Sequence, residues 1–409
     1  MADFDLIHSL VRQTDSRIVL LVLDGLGGIP HPKTGRSELD VAKTPNLDRL
    51  ARSSLTGLSL PVGHGITPGS GPGHLALFGY NPVEHLIGRG ILEALGLEME
   101  VGPGAIAARG NYCTLDDSGV IIDRRAGRMS TRTNEELSTR LGSLAIDGAE
   151  IAIGAGREHR LAVVFRPAPG SPSATVGFID ALTDNDPQRE GEMPQEVAAV
   201  VPEAESTERV VRDFLWQAGE ALRGSHPANG VVLRGFSAMP HLPLMPDTFR
   251  LNPAAIASYP MYRGLAKLVG MKVLQTGDTI EDEFETLRSS WNDHDFFFLH
   301  YKATDSAGED GDYHRKVQAL ERLDRALPAL LDLDPDVLIV AGDHSTPTAM
   351  AAHSWHPVPL MIRSRWSPYG DAEGFSEREC ARGILGTIPA TEIMPVALAT
   401  AMKLDKFGA

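Results

Sequence analysis

Cysteine is nearly missing from this chain, with only Cys113 and Cys380 in 409 residues. They form no CxxC pair and no framework to staple, which excludes a disulfide scaffold and fits a reducing compartment. A cytoplasmic protein is therefore expected. Long apolar runs are missing too: none approaches the ~18 residues of a membrane span. The N-terminus, Met1-Ala2-Asp3-Phe4-Asp5, carries acid where a secretory leader needs base. Positive charge is scarce, since 38 Lys plus Arg against 54 Asp plus Glu leave a net charge of −16. Such a surface repels nucleic-acid backbones and anionic membranes, so no nucleic-acid and no membrane partner is expected. Lysine is the scarcer base, with 30 of the 38 basic residues being Arg and no Lys between Lys43 and Lys267. Guanidinium matches carboxylate and phosphate bidentately where ammonium does not, although proteome bias explains the same excess.

What is present is ordinary globular material, 42% hydrophobic and 22% charged, long enough for two or three domains at about 150 residues each. Three apolar runs stand out, each leading into a carboxylate: Ile18-Val19-Leu20-Leu21-Val22-Leu23 before Asp24, Phe296-Phe297-Phe298-Leu299 before Asp305, and Val337-Leu338-Ile339-Val340-Ala341 before Asp343. Continuous β-branched and aromatic runs suit central strands of a parallel sheet covered on both faces, and such sheets bind ligands at the carboxyl ends of their strands. Helical patterns alternate with them. Thr44-Pro45 reads as N-cap and first helical residue, Ser206 as the cap of a stripe through Val210, Val211, Phe214, Leu215, Ala218 and Leu222 with Gly224 as its stop, and further helices are predicted at 279–290, 313–331 (bent or ended near Pro328) and 392–403. The fold class is α/β. Residues 81–249, with shorter and more antiparallel strands, read as a second domain inserted into a first made of 1–80 and 250–409, because Asp24 precedes the insertion while Asp305 and Asp343 follow it.

Hard ligands gather at the strand ends: Asp24, Asp305, the Asp343-His344 pair, and His353 ten residues past Asp343. Carboxylate oxygen with imidazole nitrogen suits a divalent ion. A strand-end Asp is alone more often a turn or cap residue; the joint placement is what points to metal. Thr67-Pro68-Gly69-Ser70-Gly71-Pro72-Gly73-His74 offers Ser70 as a nucleophile between glycines that admit close approach, Thr67 as the alternative, and His74 as a hydrogen-bond partner for a phosphate. A plain Gly/Pro loop is the other reading. Across 109–166, nine Arg face eight carboxylates, a local sum of +1 in a chain of −16. The Gly-flanked arginines of this island suit convergence on a small anion better than a solvated helix face. His226, His241 and His294 sit in no ligand spacing and read as surface or capping residues; Phe214, Trp216 and Phe284 read as helical core.

Together these parts suggest two ions placing a phosphoryl group on Ser70, with the inserted domain closing its arginines over the substrate and excluding water.

At this point the chain resembles the cofactor-independent phosphoglycerate mutases, archaeal-type branch, within the alkaline phosphatase superfamily. The resemblance rests on Val22-Leu23-Asp24-Gly25-Leu26-Gly27-Gly28, Thr44-Pro45-Asn46-Leu47-Asp48, Gly88-Arg89-Gly90, Ala108-Arg109-Gly110-Asn111, Asp123-Arg124-Arg125-Ala126-Gly127-Arg128, His159-Arg160, Tyr259-Pro260, Lys302-Ala303-Thr304-Asp305, Gly342-Asp343-His344-Ser345-Thr346-Pro347 and His353-Ser354-Trp355-His356-Pro357-Val358-Pro359. It implies an alkaline-phosphatase-like, mostly parallel sheet with helices on both faces, plus a smaller inserted substrate-binding domain. It implies interconversion of 2-phosphoglycerate and 3-phosphoglycerate through a phosphoserine at Ser70, with two divalent ions, Mn or Mg foremost and Zn or Co as alternatives, and no 2,3-bisphosphoglycerate. Asp24, Ser70, Asp343 and His344 would hold one ion, and Asp305 and His353 the other. Arg124, Arg125 and Arg128 match the family's arginine-rich substrate loop. Arg109, Arg160, Arg234, Arg263 and Lys267 are further substrate-binding candidates, and self-association is left open.

Two departures from the family pattern stand out. Glu309 occupies the place of a common His ligand, making the site harder and favouring Mn or Mg over Zn, or leaving that ion one ligand short. The nucleophile loop reads Gly69-Ser70-Gly71-Pro72-Gly73-His74 where relatives commonly have Gly-Ser-Asp-Thr-Ala-His. The rival readings are a metal-dependent phosphatase or phosphonate hydrolase on the same scaffold, and a binding relative without catalysis.

Overall fold

A computed structural model describes residues 4–367 and 370–408; Met1, Ala2 and Asp3, part of the acidic N-terminal reading, lie outside them. The chain divides into two compact units, Met1–Leu86 with Leu242–Ala409, and Ile87–His241. Among the described residues there are thirteen strands: β1 (Ile18–Leu23), β2 (Leu55–Leu60), β3 (Ile106–Leu115), β4 (Ile121–Asp123), β5 (Ala149–Ala155), β6 (Arg160–Pro167), β7 (Gly230–Ala238), β8 (Pro253–Ile256), β9 (Lys272–Leu274), β10 (Phe296–Tyr301), β11 (Val337–Ala341), β12 (Val358–Ser364) and β13 (Gly386–Pro389).

The first unit is an eight-stranded sheet in the order β13-β2-β12-β11-β1-β10-β8-β9. The three apolar runs are its neighbouring central strands, β1 pairing in parallel with β10 and with β11. All their residues are buried, as parallel strands covered on both faces require. Alternation along β10 sends Phe297 and Leu299 into one core with Leu320, Leu323 and Phe284, and Phe298 to the opposite face against Phe78. Burying each such side chain contributes about 1.5–3 kcal/mol. Only β12 runs antiparallel, to both β11 and β2, so the sheet is mostly parallel.

The second unit carries a five-stranded sheet, β4-β3-β6-β5 with β7 also paired to β3, antiparallel throughout. Its strands are not shorter: β3 has 10 residues and β7 has 9, against 6 in β1. Arg109, Asn111 and Thr114 interrupt the apolar run that would have revealed the length of β3. Helices Thr131–Gly142 and Glu205–Leu222 pack on this sheet through Leu137, Leu141, Val211 and Phe214.

Local corrections have tertiary causes. Thr44 is the N-cap of helix Pro45–Ala51 but makes no side-chain cap bond; the distant Asp324 carboxylate instead accepts from Asn46 N at 3.0 Å and Leu47 N at 2.8 Å, satisfying donors a cap would serve. The helix expected to start after Ser206 starts at Glu205, with Ala204 as its N-cap, because the short turn Pro202–Ala204 feeds straight into it. Trp216 is 69% exposed, off the stripe that buries Phe214, and His294 is buried, its Nδ1 3.2 Å from Asn252 O. Pro328 splits the 313–331 segment into Tyr313–Ala326 and Pro328–Leu331. No helix among the described residues is long and apolar enough to cross a membrane.

Candidate active site

Strand register builds the site. Leu23 sits opposite Tyr301 and Val22 opposite Ala341, so the residues just beyond these strand ends, Asp24, Lys302 and Asp343, arrive at one level of the sheet. Ser70 joins them from helix Ser70–Leu77, of which it is the first residue; the segment is thus a helix start rather than a loop. Pro72 falls in the first turn, where its missing N–H costs nothing. Gly73 permits the approach, since a Cβ there would lie 2.2 Å from Asp343 O.

Asp24, Asp343 and His344 are fully buried and offer ligand atoms within 4.8 Å of one another. Thr346 Oγ1 donates its proton to Asp305 Oδ1 at 2.7 Å and must therefore accept from His344 Nδ1 at 2.9 Å. The His344 Nε2 lone pair then faces Asp24 Oδ1 at 3.3 Å and Asp343 Oδ2 at 3.1 Å, with the Ser70 hydroxyl at 3.2 Å. Neither carboxylate oxygen receives a hydrogen bond. Two buried carboxylate oxygens and an imidazole lone pair converging without a proton between them fit a divalent cation.

The opposite sides of these ligands are held. Burial and Asp343 push the Asp24 pKa up, but Lys302 and His300 outweigh them and keep it below the usual range. Asp24 Oδ2 accepts from Lys302 Nζ at 2.9 Å, His300 Nε2 at 3.0 Å and the Tyr262 hydroxyl. Lys302 Nζ also donates to Asp305 Oδ2 at 2.6 Å; burial opposes its charge, yet Asp24, Tyr262 and Asp305 raise its pKa well above the ordinary value. The His300 ring stacks on Tyr262 at 3.5 Å, and burial pushes its pKa down to about 4. His74 is fully buried, its Nδ1 2.8 Å from Ser70 O and 3.1 Å from Asp343 Oδ2. The Nδ1 proton goes to the Ser70 carbonyl, so His74 lies beside Asp343 Oδ2 without donating to it.

A second ligand set lies alongside. His353 Nδ1 donates to Pro68 O at 3.1 Å, which turns Nε2 toward Asp305 Oδ1 at 3.6 Å and Glu309 Oε1 at 3.5 Å. Burial lowers the His353 pKa, but Glu309, Asp305 and the Pro68 carbonyl together lift it to about 9. His344 stacks on His353 at 3.6 Å, so its ring borders both sets.

In the second unit Arg109 on β3 lies in register with Arg234 on β7, and Arg160 on β6 with Asn111. Arg124 is held by the buried Asp186 at 2.8 and 3.2 Å, and Arg234 Nε stands 3.7 Å from the same carboxylate. Arg125 and Arg128 are exposed on a turn whose Ala126, Gly127 and Arg128 all have positive φ, 45°, 64° and 51°. Both Asp123 oxygens hold that turn, from Arg125 N and Gly127 N at 2.7 Å each, offsetting a conformation that L residues adopt reluctantly. Arg263 and Lys267 belong to the first unit, on helix Pro260–Leu268.

His159 is buried in this arginine cluster. Burial first, then Arg160, Arg125, Arg109 and Arg128, push its pKa down to about 4. The unfolded imidazole titrates near ~6.5, so this group's contribution to stability is intact above that pH and is lost as pH falls through about 4. A histidine-resolved NMR titration is expected to find His159 neutral at pH 6; an imidazolium there would contradict the burial argument.

Every ligand candidate of the first unit, Asp24, Ser70, Asp305, Glu309, Asp343, His344 and His353, falls at this strand-end cluster. Sequence reasoning missed Tyr262, His300 and Asp186 and gave Lys302 no role. Aligning the runs ending at Leu23 and Tyr301 would have exposed His300 and Lys302; Tyr262 and Asp186 carry no local signal.

The profile of the metalloenzyme superfamily matches residues 16–400 of the chain. A probable 2,3-bisphosphoglycerate-independent phosphoglycerate mutase of Aquifex aeolicus is 51% identical over 412 residues, covering 99% of this chain and 100% of the relative. Among solved structures, the PH0037 protein from Pyrococcus horikoshii superposes with a TM-score of 0.82 at 26% identity, over 96% of this chain and 99% of that one. The cofactor-independent phosphoglycerate mutase from Thermoplasma acidophilum gives 0.69 at 30% identity, over 94% and 100%.

Proposed function

This chain belongs to the metalloenzyme superfamily and, within it, to the 2,3-bisphosphoglycerate-independent phosphoglycerate mutases, and from that membership we propose which of its residues do the work. The enzyme is an isomerase that interconverts 2-phosphoglycerate and 3-phosphoglycerate, and it binds divalent metal. Ser70 takes the phosphoryl group: its Oγ loses its proton and forms a bond to phosphorus, the bond from phosphorus to the substrate oxygen breaks, and that oxygen takes up a proton, so the step is balanced in protons. The other hydroxyl of the retained glycerate then attacks the phosphoserine and frees Ser70. The observation that carries this reading is the Ser70 hydroxyl aimed at the unprotonated face of His344, beside two carboxylate oxygens without donors.

Asp24, Ser70, Asp343 and His344 would hold one divalent ion, and Asp305, Glu309 and His353 the other. The carboxylate-rich donor set favours Mn or Mg over Zn or Co. When bound, such ions lower the proton affinity of the serine hydroxyl and offset the charge of phosphoryl oxygens. Lys302 neutralises the outer oxygens of Asp24 and Asp305 and leaves their inner oxygens to the ions. His74 anchors the first turn of the Ser70 helix through the Ser70 carbonyl. As the first residue of its helix, Ser70 places a phosphoryl group where the helix dipole favours negative charge.

The second unit, as the inserted substrate-binding domain, supplies the arginines. Arg125 and Arg128, exposed on the turn held by Asp123, grip the substrate's anionic groups. Arg109, Arg124, Arg160 and Arg234 of the same unit are further substrate-binding residues of this reading, as are Arg263 and Lys267 of the first unit. A charge-assisted hydrogen bond is worth about 1.5–3 kcal/mol, so Arg125→Ala or Arg128→Ala is expected to raise KM roughly tenfold to hundredfold. Unchanged KM in steady-state assays of both variants would remove them from the substrate site. Two buried free cysteines and a central-metabolic substrate support action in the cytoplasm.

The test of the whole reading is turnover of phosphoglycerate by the Mn-loaded protein, coupled to enolase, with no added 2,3-bisphosphoglycerate and in heavy-oxygen water. Isomerisation without label in the phosphoryl group is expected. Label in released phosphate without isomerisation would make the protein a hydrolase.

A further inference from the structure

Lys316 lies on helix Tyr313–Ala326 with no exposed surface. Its ammonium has three protons and all three are taken, by Gly25 O at 2.9 Å, Gly27 O at 3.1 Å and Thr346 O at 2.8 Å. The first two carbonyls belong to the loop that follows Asp24, the third to the loop that carries Asp343 and His344. Thr346 is also the residue whose hydroxyl links His344 Nδ1 to Asp305 Oδ1. Two carboxyls, half-buried Glu377 and buried Glu38, hold the same loops: Glu377 accepts from Gly28 N at 2.8 Å and Glu38 from Thr348 N at 2.9 Å. Three carbonyl oxygens around one buried positive charge is the environment of a small monovalent cation, here supplied by a side chain. A methionine or leucine would fill the same volume without desolvating a charge, so filling space does not explain a lysine here.

We propose that Lys316 is a positioning residue of the metal centre, an internal cation that ties the loop after β1 to the loop after β11 and so sets the spacing of Asp24 from Asp343 and His344. The inference rests on the metal reading above. It assigns Lys316 no contact with substrate: the residue acts only through the backbone that carries the ligands.

The split between metal affinity and substrate KM tests it. Lys316→Met, with far-UV circular dichroism showing the fold retained, is expected to bind Mn at least tenfold more weakly by Mn electron paramagnetic resonance. KM for phosphoglycerate at saturating Mn should stay within about twofold of wild type. A folded variant with wild-type Mn affinity, or one whose KM moves instead, overturns the proposal. If Lys316→Met does not fold, Lys316→Ala with and without methylammonium decides. Mn binding that returns only with the amine supports the proposal; binding equal to wild type without it, or none with it, overturns it. Wild-type protein that binds no Mn would instead defeat the metal reading itself, and this inference with it, before any variant is made.

Discussion

Ser70→Ala is expected to remove mutase turnover, by roughly 10⁴-fold or more, the scale on which loss of a nucleophile is felt. The reason is positional as much as chemical. The hydroxyl stands 3.2 Å from His344 Nε2, and among the described residues no other hydroxyl bonds that nitrogen; the Thr346 hydroxyl serves the far side of the same ring and is committed to Asp305. The variant should fold normally, because the change deletes one partly buried hydroxyl, worth about 1 kcal/mol. It should still bind metal through Asp24, Asp343 and His344. Two measurements check this: coupled turnover, and intact mass after an acid quench, in which wild type gains one phosphoryl group on Ser70 and the variant none. Turnover within tenfold of wild type would move the nucleophile elsewhere, with Thr67 the next candidate.

Removal of metal is expected to have an effect of similar size. Chelation should abolish activity, and Mn should restore it. Asp343→Asn should resist restoration, since it removes one of the two donorless carboxylate oxygens that face His344. Ion binding to the folded state alone contributes about 2.7 kcal/mol at a hundred times Kd, so Mn should raise the melting temperature of wild type and raise that of Asp343→Asn less. A variant that keeps the full increment would place the ion elsewhere.

The same experiment carries a pH signature. The His353 pKa is lifted to about 9 in the metal-free protein, above its unfolded value near ~6.5. Its stabilising ion pairs are therefore fully present below ~6.5 and are lost as pH rises through about 9. An ion bound there displaces that proton, so its affinity should fall as pH drops below about 9. Calorimetry in buffers of different ionisation enthalpy should register a released proton near neutral pH. Binding without proton release would show that His353 is not a ligand.

Much of the architecture was legible because it is local. A run such as Ile18–Leu23, apolar at every position, has few solutions other than a strand buried on both faces, and three such runs, each leading into Asp, already point to one edge of one sheet. The same logic failed where apolar runs are broken. Arg109, Asn111 and Thr114 hid the length of β3, and Trp216 was drawn into a core stripe from which the helix turns it away. Thr44 has the look of a cap, yet the capping carboxylate comes from Asp324, 278 positions beyond the Asn46 N–H that it accepts from.

Residue types and their spacing single out Asp24, Ser70, Asp305, Asp343, His344 and His353 as candidates, because metal and nucleophile chemistry admit few side chains, and folding brings these candidates together. What tertiary structure alone decided is the state in which those groups are held. His300 and Lys302 reach Asp24 through the parallel register of β1 and β10, Tyr262 through a helix more than 200 positions away, and Lys316 joins two loops through carbonyls that every residue possesses. Ligand identity is a property of side chains and can be read along the chain. Protonation, orientation and spacing come from burial and from partners brought in by folding, and a backbone carbonyl leaves no mark in the sequence to say which lysine will find it.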